Sequence, residues 1–323
     1  MELLDIYLQS QTHKVISKDV SVGMLSHCYM LSSKDELLLS SFAFFVAKEI
    51  LCLSDNAPCD NCVNCNKISH NNMVDLKVYP RSEKSLVVDD INEIVDDCFI
   101  RPMDSKYKIY ILQKFDECTV QAQNKILKTL EEPPQNVVFI LTSTNDAGVL
   151  ATIASRSKKV NEPELDYDIL LEYLKGLSAK DAEVLASMSD GSLTIANKLA
   201  NNTGSVEIVN LVFDILTNFR TSADVLKYSS KIVSLKKDFG FFLETLIAVL
   251  RDIAVFEKSN NLIFKTFESR YHTLNKIYNN DMIAKIIEKI YLIPMKLDFN
   301  CNLTGVVDQM LLDILEVKFL CQR

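Results

Sequence analysis

Four cysteines crowd one short stretch: Cys52, then Cys59, Cys62 and Cys65 spaced C-x2-C-x2-C. Thiolates are soft ligands, and four of them in a loop of this size can close tetrahedrally around Zn²⁺ at about 2.3 Å each. Asp55, Asn56, Pro58, Asp60 and Asn61 lie among them and are turn formers, which lets the chain wrap an ion. Free thiols or an iron–sulfur cluster are the competing readings, while a redox pair would present one C-x-x-C alone. The set leaves no open coordination position, so its expected role is structural. A second chemically suggestive residue is Arg156, in Ser155-Arg156-Ser157. Its planar, permanently charged fork suits phosphate oxygens. On the residues alone, a surface ion pair with a carboxylate such as Glu131 or Glu132 is the simpler account.

A third place where chemistry is expected is conspicuous for what stands there. Leu25-Ser26-His27-Cys28-Tyr29-Met30-Leu31 reads as a strand and residues 37–53 as a helix, with Phe42, Phe45, Ala47 and Ile50 giving an apolar surface. A nucleotide-binding strand–turn–helix would place G-x-x-x-x-G-K-[ST] between them, its backbone N–H groups converging on the phosphates and its lysine adding charge. Here the run is Ser33-Lys34-Asp35-Glu36-Leu37-Leu38-Leu39-Ser40: both glycines are missing and Leu39 holds the lysine position before Ser40. Asp35 and Glu36 would repel a triphosphate. Gly23 is the only glycine before Gly148, so no other loop substitutes. The strand Lys108-Ile109-Tyr110-Ile111-Leu112 is followed by Gln113 and Lys114, where a hydrolase needs acidic residues for Mg²⁺ and water; Asp116 and Glu117 come further on. No ATP is therefore expected to bind.

The elements around these residues alternate. Residues 72–79 read as a strand ended by Pro80. Asp89 is a candidate N-cap for a helix striped by Ile91, Ile94, Val95 and Phe99. After the strand at 108–112, Thr119 offers an N-cap for Val120–Glu131, with Ala122, Ile126, Leu127 and Leu130 on one face and Pro133-Pro134 as the stop. A second buried strand is expected at 137–141. The alternation to residue 160 predicts an α/β domain with a mostly parallel sheet covered on both faces. Past Pro163 the pattern is helical: three short helices at 167–174, 180–188 and 193–199, then only helical periodicity over 206–320 (Phe241, Leu243, Leu246, Val249, Leu250). Ser259-Asn260-Asn261 and Tyr278-Asn279-Asn280-Asp281 are turn candidates.

Composition sets bounds. The 323 residues suggest about two domains of ordinary size, and 48% hydrophobic with 24% charged residues is a globular balance. No apolar run reaches the ~18 residues a membrane span needs. Residues 1–18 lack a basic start and a long apolar core, so they do not read as an export signal; the expected compartment is the reducing cytoplasm. The net charge of −8 argues against broad phosphate-driven nucleic-acid binding.

Taken in order, Leu25-Ser26-His27-Cys28-Tyr29, the cysteine cluster, Leu127-Lys128-Thr129-Leu130-Glu131-Glu132-Pro133-Pro134, Val138-Phe139-Ile140-Leu141-Thr142 and Ser155-Arg156 resemble the bacterial DNA polymerase III clamp-loader subunits. The likeness is sharp over residues 20–160 and architectural beyond. It implies an AAA+ (RecA-like) domain over 1–162 with the four-cysteine module at 52–65 inserted, a three-helix lid over 163–204 and an all-α collar over 205–323. It also implies a five-part ring with gamma/tau ATPase subunits and a delta subunit, acting on a sliding clamp and touching primed DNA weakly or indirectly. Arg156, with Ser155, falls where the family's Ser-Arg-Cys arginine reaches a neighbouring ATP site; Ser157 replaces the cysteine. In the ATPase members an arginine follows the lid's Gly-Ser motif; after Asp190-Gly191-Ser192 the matching residue here is Thr194. With the phosphate-loop residues, the acidic pair and the lid arginine all replaced, the resemblance points to an ATP-silent member, not an enzyme by itself but part of a polymerase holoenzyme. The alternatives are an active ATPase subunit of the gamma/tau type and a stand-alone zinc-containing nucleic-acid binder.

Overall fold

The computed structural model describes residues 1–81, 85–179, 181–201, 204–257, 262–264, 267–293 and 302–320. Among them no helix is long and apolar enough to cross a membrane. The chain forms two compact units: Met1–Gly176 with Gly191–Thr194, and Leu177–Asp190 with Ile195–Arg323.

The first unit is the expected α/β assembly. Its strands β1 (Cys28–Ser32), β2 (Leu76–Tyr79), β3 (Lys108–Leu112), β4 (Val137–Ser143) and β5 (Lys158–Asn161) make one sheet in the order β2-β3-β4-β1-β5. Every pairing is parallel, with Cys28 opposite Phe139 and Tyr110 opposite Phe139 on the next strand. β1, β3 and β4 are buried along their whole length, which is why they read as unbroken apolar runs. Cys28, Met30, Tyr110, Leu112, Phe139 and Leu141 turn to one face, against α5 (Val88–Cys98) and α6 (Val120–Glu131). The alternate residues turn toward α3 (Glu36–Leu51), whose Leu38, Leu39, Phe42 and Val46 are buried.

Several expected boundaries shift. α5 starts at Val88, so Asp89 lies inside its first turn and does not cap it; Asp90 instead accepts the N–H of Val87 at 3.0 Å. Phe99 lies past the end of α5 and is exposed. Thr119 does cap α6, accepting from the Ala122 N–H at 3.3 Å. Two helices and a strand carried no clear signal in the sequence: α1 (Leu3–Gln9), α2 (Gln11–Val22) and β5. Tyr7 and His13 from the first two both reach the buried carboxylate of Glu49 on α3, His13 Nδ1 at 3.2 Å. Asp19 on α2 accepts from Tyr29 of β1 and pairs with Lys158 of β5 at 2.6 Å. α4 (Val63–Ser69), α7 (Ala151–Ala154) and α8 (Tyr167–Gly176) complete this unit together with the segment Gly191–Thr194.

The second unit is helical throughout its described residues: α9 (Ala182–Met188), α10 (Leu193–Asn201, from Ile195 onward), α11 (Ser205–Asn218), α12 (Ser222–Ser234), α13 (Phe239–Val255), α14 (Glu268–Leu274), α15 (Asn280–Tyr291) and α16 (Leu303–Leu320). Its core is continuous, from Ile208 through Phe242 to Val317. Buried Asp252 is satisfied by the N–H groups of Ile263 and Phe264 and by the Tyr271 hydroxyl at 2.8 Å. Asn279 caps α15, and Asn280 and Asp281 lie in its first turn, so the turn expected over 278–281 is the start of a helix over its second half. The candidate turn Ser259-Asn260-Asn261 lies outside the described residues.

Candidate functional site

Between β1 and α3, over the stretch that the sequence sets against a phosphate loop, the protein's own side chains are hydrogen-bonded to one another. β1 ends at Ser32, and Asp35 caps α3, accepting from the Leu38 N–H at 2.9 Å. The same carboxylate accepts from the Ser192 hydroxyl at 2.7 Å, the Thr194 N–H at 2.9 Å and the Thr194 hydroxyl at 2.6 Å. Thr194 Oγ1 also accepts from the Leu37 N–H at 3.0 Å. Burial alone would raise the carboxyl's pKa, but the donors from Thr194, Ser192 and the Leu38 amide outweigh it and hold Asp35 below the usual carboxylate range. A helix N-terminus favours an anion. Here a side chain of the same chain supplies it.

The other residues of this corner have taken up structural work. Leu39 is turned into the core at 2% exposure. The Ser40 hydroxyl bonds back to the Leu37 carbonyl at 3.1 Å, and that of Ser33 accepts from the Asp35 N–H at 3.3 Å. The Gln113 N–H continues the sheet onto the Tyr79 carbonyl at 2.8 Å. Lys114, in a left-handed conformation (φ 51°), donates its N–H to Thr142 and pairs its ammonium with Glu36 at 2.8 Å. The bond to Glu36 raises the Lys114 pKa. Asp116 accepts from the Thr144 hydroxyl and the Asn145 N–H, each at 3.0 Å.

Arg156 follows α7 and is about one-third exposed. Its guanidinium pairs with Glu131 at 2.8 Å and donates to the Thr152 carbonyl at 2.8 Å. Of the two carboxylates considered from the sequence, Glu131 is the one it meets. The Ser155 hydroxyl donates to the Thr152 carbonyl at 3.0 Å. Ser157 donates to the Ile153 carbonyl at 2.9 Å and sits 3.1 Å from the Cys28 thiol beneath β1, a packing role.

The four cysteines converge. Cys52 ends α3, Cys62 caps α4, Cys65 is buried in the first turn of α4, and Cys59 comes from the loop. Their sulfurs all lie within 4.8 Å of one another, with Cys52 and Cys62 at 4.0 Å. A tetrahedral centre with ~2.3 Å bonds sets its sulfurs about 3.8 Å apart, so the donors fit a metal ion with little movement. Backbone N–H groups of Ser54, Cys62 and Cys65 point at three of the sulfurs at 3.4–3.5 Å. Burial opposes ionisation of Cys62, yet the N–H groups of Cys65 and Leu53 bring its thiol down to about 6; burial pushes Cys65 up. Lys48 holds the loop through Asp60 at 2.6 Å.

The sequence singled out Asp35, Ser192 and Thr194 but not the partnership that joins them, and it gave no notice of Lys48, Thr144 or Asn145. Asp35 read as a repellent for triphosphate and Thr194 as a missing arginine; Ser192 was part of a weak motif. The signal that could have found Asp35 was its type at a helix start, which is an N-cap signature.

Residues 8–165 match the family model described as DNA polymerase III, delta subunit. The DNA polymerase III subunit delta' of Bacillus subtilis (strain 168) is 25% identical over 327 residues, covering 96% of this chain and 97% of that protein. The DNA polymerase III subunit gamma/tau of Mycoplasma genitalium is 26% identical over 304 residues, covering 83% of this chain but 50% of that protein. The chain thus spans about half the length, or less, of the gamma and gamma/tau relatives it matches first. Among solved structures, a gamma subunit-related protein of DNA polymerase III from Thermotoga maritima is 17% identical, with 95% of this chain and 99% of that chain covered and a TM-score of 0.45.

Proposed function

We propose that this chain, which belongs to the DNA polymerase III clamp-loader family, serves as a subunit of the delta-prime type: it neither binds nor hydrolyses ATP, and it lends Arg156 to the ATP site of a neighbouring subunit. In that role it takes a place in a five-part ring with gamma/tau and delta subunits and helps put the sliding clamp on primed DNA. The observation that carries the first half is the Asp35 carboxylate at the N-terminus of α3, where four donors hold it. A triphosphate entering there meets a fixed negative charge and finds the lid-side position, Thr194, already spent on that charge. Leu39 in the core supplies no cation.

For the second half, the support is the position of Arg156 after α7 and the accessibility of its fork. Its bond to Glu131 joins two side chains that are 36% and 48% exposed, so the pair contributes at most ~1 kcal/mol and yields readily to a phosphate. Ser155, tied to the turn of α7, positions the arginine's backbone. We assign Zn²⁺ to Cys52, Cys59, Cys62 and Cys65, where it would pin the end of α3 to the start of α4. The division into core (1–162), lid (163–204) and collar (205–323) is part of the same reading.

Two measurements test it. Titration with a fluorescent ATP analogue should show no Mg²⁺-dependent binding to the isolated chain; tight binding displaced by ATP would instead make it an ATPase of the gamma/tau type. In reconstituted rings, Arg156→Ala should leave assembly intact and lower clamp- and DNA-stimulated ATP hydrolysis, with Arg156→Lys nearly as impaired because a point charge cannot reproduce the fork. Arginine fingers contribute about 10³–10⁵ in rate at one site; only one of several sites loses it, so the bulk fall is far smaller. Equal rates for all three chains would return Arg156 to its surface ion pair.

A further inference from the structure

The second unit concentrates positive charge at a place unconnected with the features above. A cavity of about 340 Å³ is lined by Arg220, Lys276 and Lys318, with Ile277, Leu315 and Phe319 as its apolar flank. No carboxylate lines it among the described residues. This is unexpected in a chain of net charge −8. Neither the Arg220 nor the Lys276 side chain is ion-paired with a described residue, and both are exposed. Phe319 is 60% exposed, an open aromatic face at the rim.

Lys318 forms the buried floor, at 7% exposure. Its ammonium donates to the carbonyls of Phe219 at 2.9 Å and Leu216 at 3.4 Å, and lies 4.8 Å from the Tyr278 ring centre. These partners offer partial charges only. Burial, with the nearby Arg220, draws the Lys318 pKa down to about 8. On the Arg220 side, the Asp224 carboxylate accepts the Arg220 backbone N–H at 3.2 Å and does not line the cavity. The three side-chain cations thus face the cavity without a carboxylate among the described residues, and an anion is what would satisfy them.

We propose that this cavity binds one nucleotide unit of single-stranded nucleic acid, its phosphate held by Arg220, Lys276 and Lys318 and its base laid on Phe319. The volume falls within the ~300–1,000 Å³ of small-ligand sites. An arginine fork flanked by two ammonium groups matches phosphate oxygens, and an exposed aromatic ring beside a cationic groove is how single strands are held without sequence preference. An acidic peptide would satisfy the cations but bring no π-face for Phe319. The assignment is independent of Arg156 and of ATP silence, since its test uses the chain alone.

The experiment is fluorescence anisotropy of a fluorescein-labelled oligothymidylate against the full chain over a range of salt. Changing Arg220→Gln together with Lys276→Gln should weaken binding about tenfold or more and flatten the plot of log affinity against log salt by about 1.4, that is ~0.7 for each lost phosphate contact. Phe319→Ala should cost affinity without changing that slope. The pair Lys14→Gln with Lys18→Gln, an equal charge change on α2, should leave both quantities alone. Absence of binding by the unaltered chain, or equal loss in the α2 control, would overturn the site. Displacement of the oligonucleotide by equimolar tripolyphosphate would reassign it to small anions, and displacement by equimolar polyglutamate to an acidic protein; either result defeats the nucleic-acid assignment.

Discussion

Asp35 joins three tasks in one carboxylate: it caps α3, receives Ser192 and Thr194, and neutralises the positive end of the helix. Its folded pKa lies below the usual value of about 3.9. The stabilisation it brings is therefore complete above about pH 3.9 and is lost as the pH falls through the folded pKa. Asp35→Asn keeps an acceptor oxygen and should cost ~1–2 kcal/mol at pH 7; Asp35→Ala removes cap and acceptor and should cost ~2–4 kcal/mol. Urea unfolding at pH 7 and again at pH 3 checks both, and the gap between native chain and Asp35→Asn should shrink at the lower pH. A gap unchanged between the two pH values would mean that the charge contributes nothing. The sequence announced each of these residue types but not their meeting, because 159 positions separate Asp35 from Thr194. For Arg156 the partner was legible: a long cation near a Glu-Glu pair, one of which, Glu131, takes it.

At the scale of elements, the four-cysteine loop connects two helix ends. Cys52 closes α3 and Cys62 opens α4, so a bound ion would fix their relative position. Metal analysis of the purified chain should give one Zn²⁺ per molecule, and Cys62→Ser should abolish it while loosening α4 and leaving the sheet intact by circular dichroism. Undiminished metal in Cys62→Ser would refute the ligand set. α6 was legible to the residue because a threonine cap, a clean apolar stripe and a Pro-Pro stop agree. α1 and α2 were not, since Ser10 breaks residues 3–22 into two short helices and interrupts the period that marks a longer one. β5 escaped for a different reason. It is an edge strand in which only Val160 is buried, so Lys158-Lys159-Val160-Asn161 has no apolar pattern to recognise. Buried Lys108 shows the converse: it begins the apolar run of β3 yet ties the end of α5, donating to the Asp97 carbonyl at 3.0 Å and pairing with its carboxylate at 2.8 Å.

For the molecule as a whole, the passage from alternating strands and helices to helices alone was readable from texture, and the sheet indeed lies in the first unit while the second is helical. Which helices pair could not be read, because amphipathic stripes specify that a face is buried and not against what. The second unit has its own continuous core, and in the proposed reading residues 205–323 are the collar. A chain ended near Ala200 should therefore keep its parallel sheet but fail to co-elute with gamma/tau subunits in size-exclusion chromatography. Unchanged co-elution of that shortened chain would make the helical unit a self-contained domain without an assembly role.

The hydrogen-bonded corner at α3 also bears on whether the proposed ATP silence could be reversed. Leu39→Lys alone would push an ammonium into the core, where Leu39 is 2% exposed. Loss of the Asp35 carboxylate alone would strand Ser192, Thr194 and the Leu38 amide without their acceptor. Each first step back toward a phosphate loop thus lowers stability before any ligand can repay it. If the proposed ATP-silent role holds, the corner would act as a ratchet: mutation one residue at a time would leave it closed to ATP and would not readily reopen it.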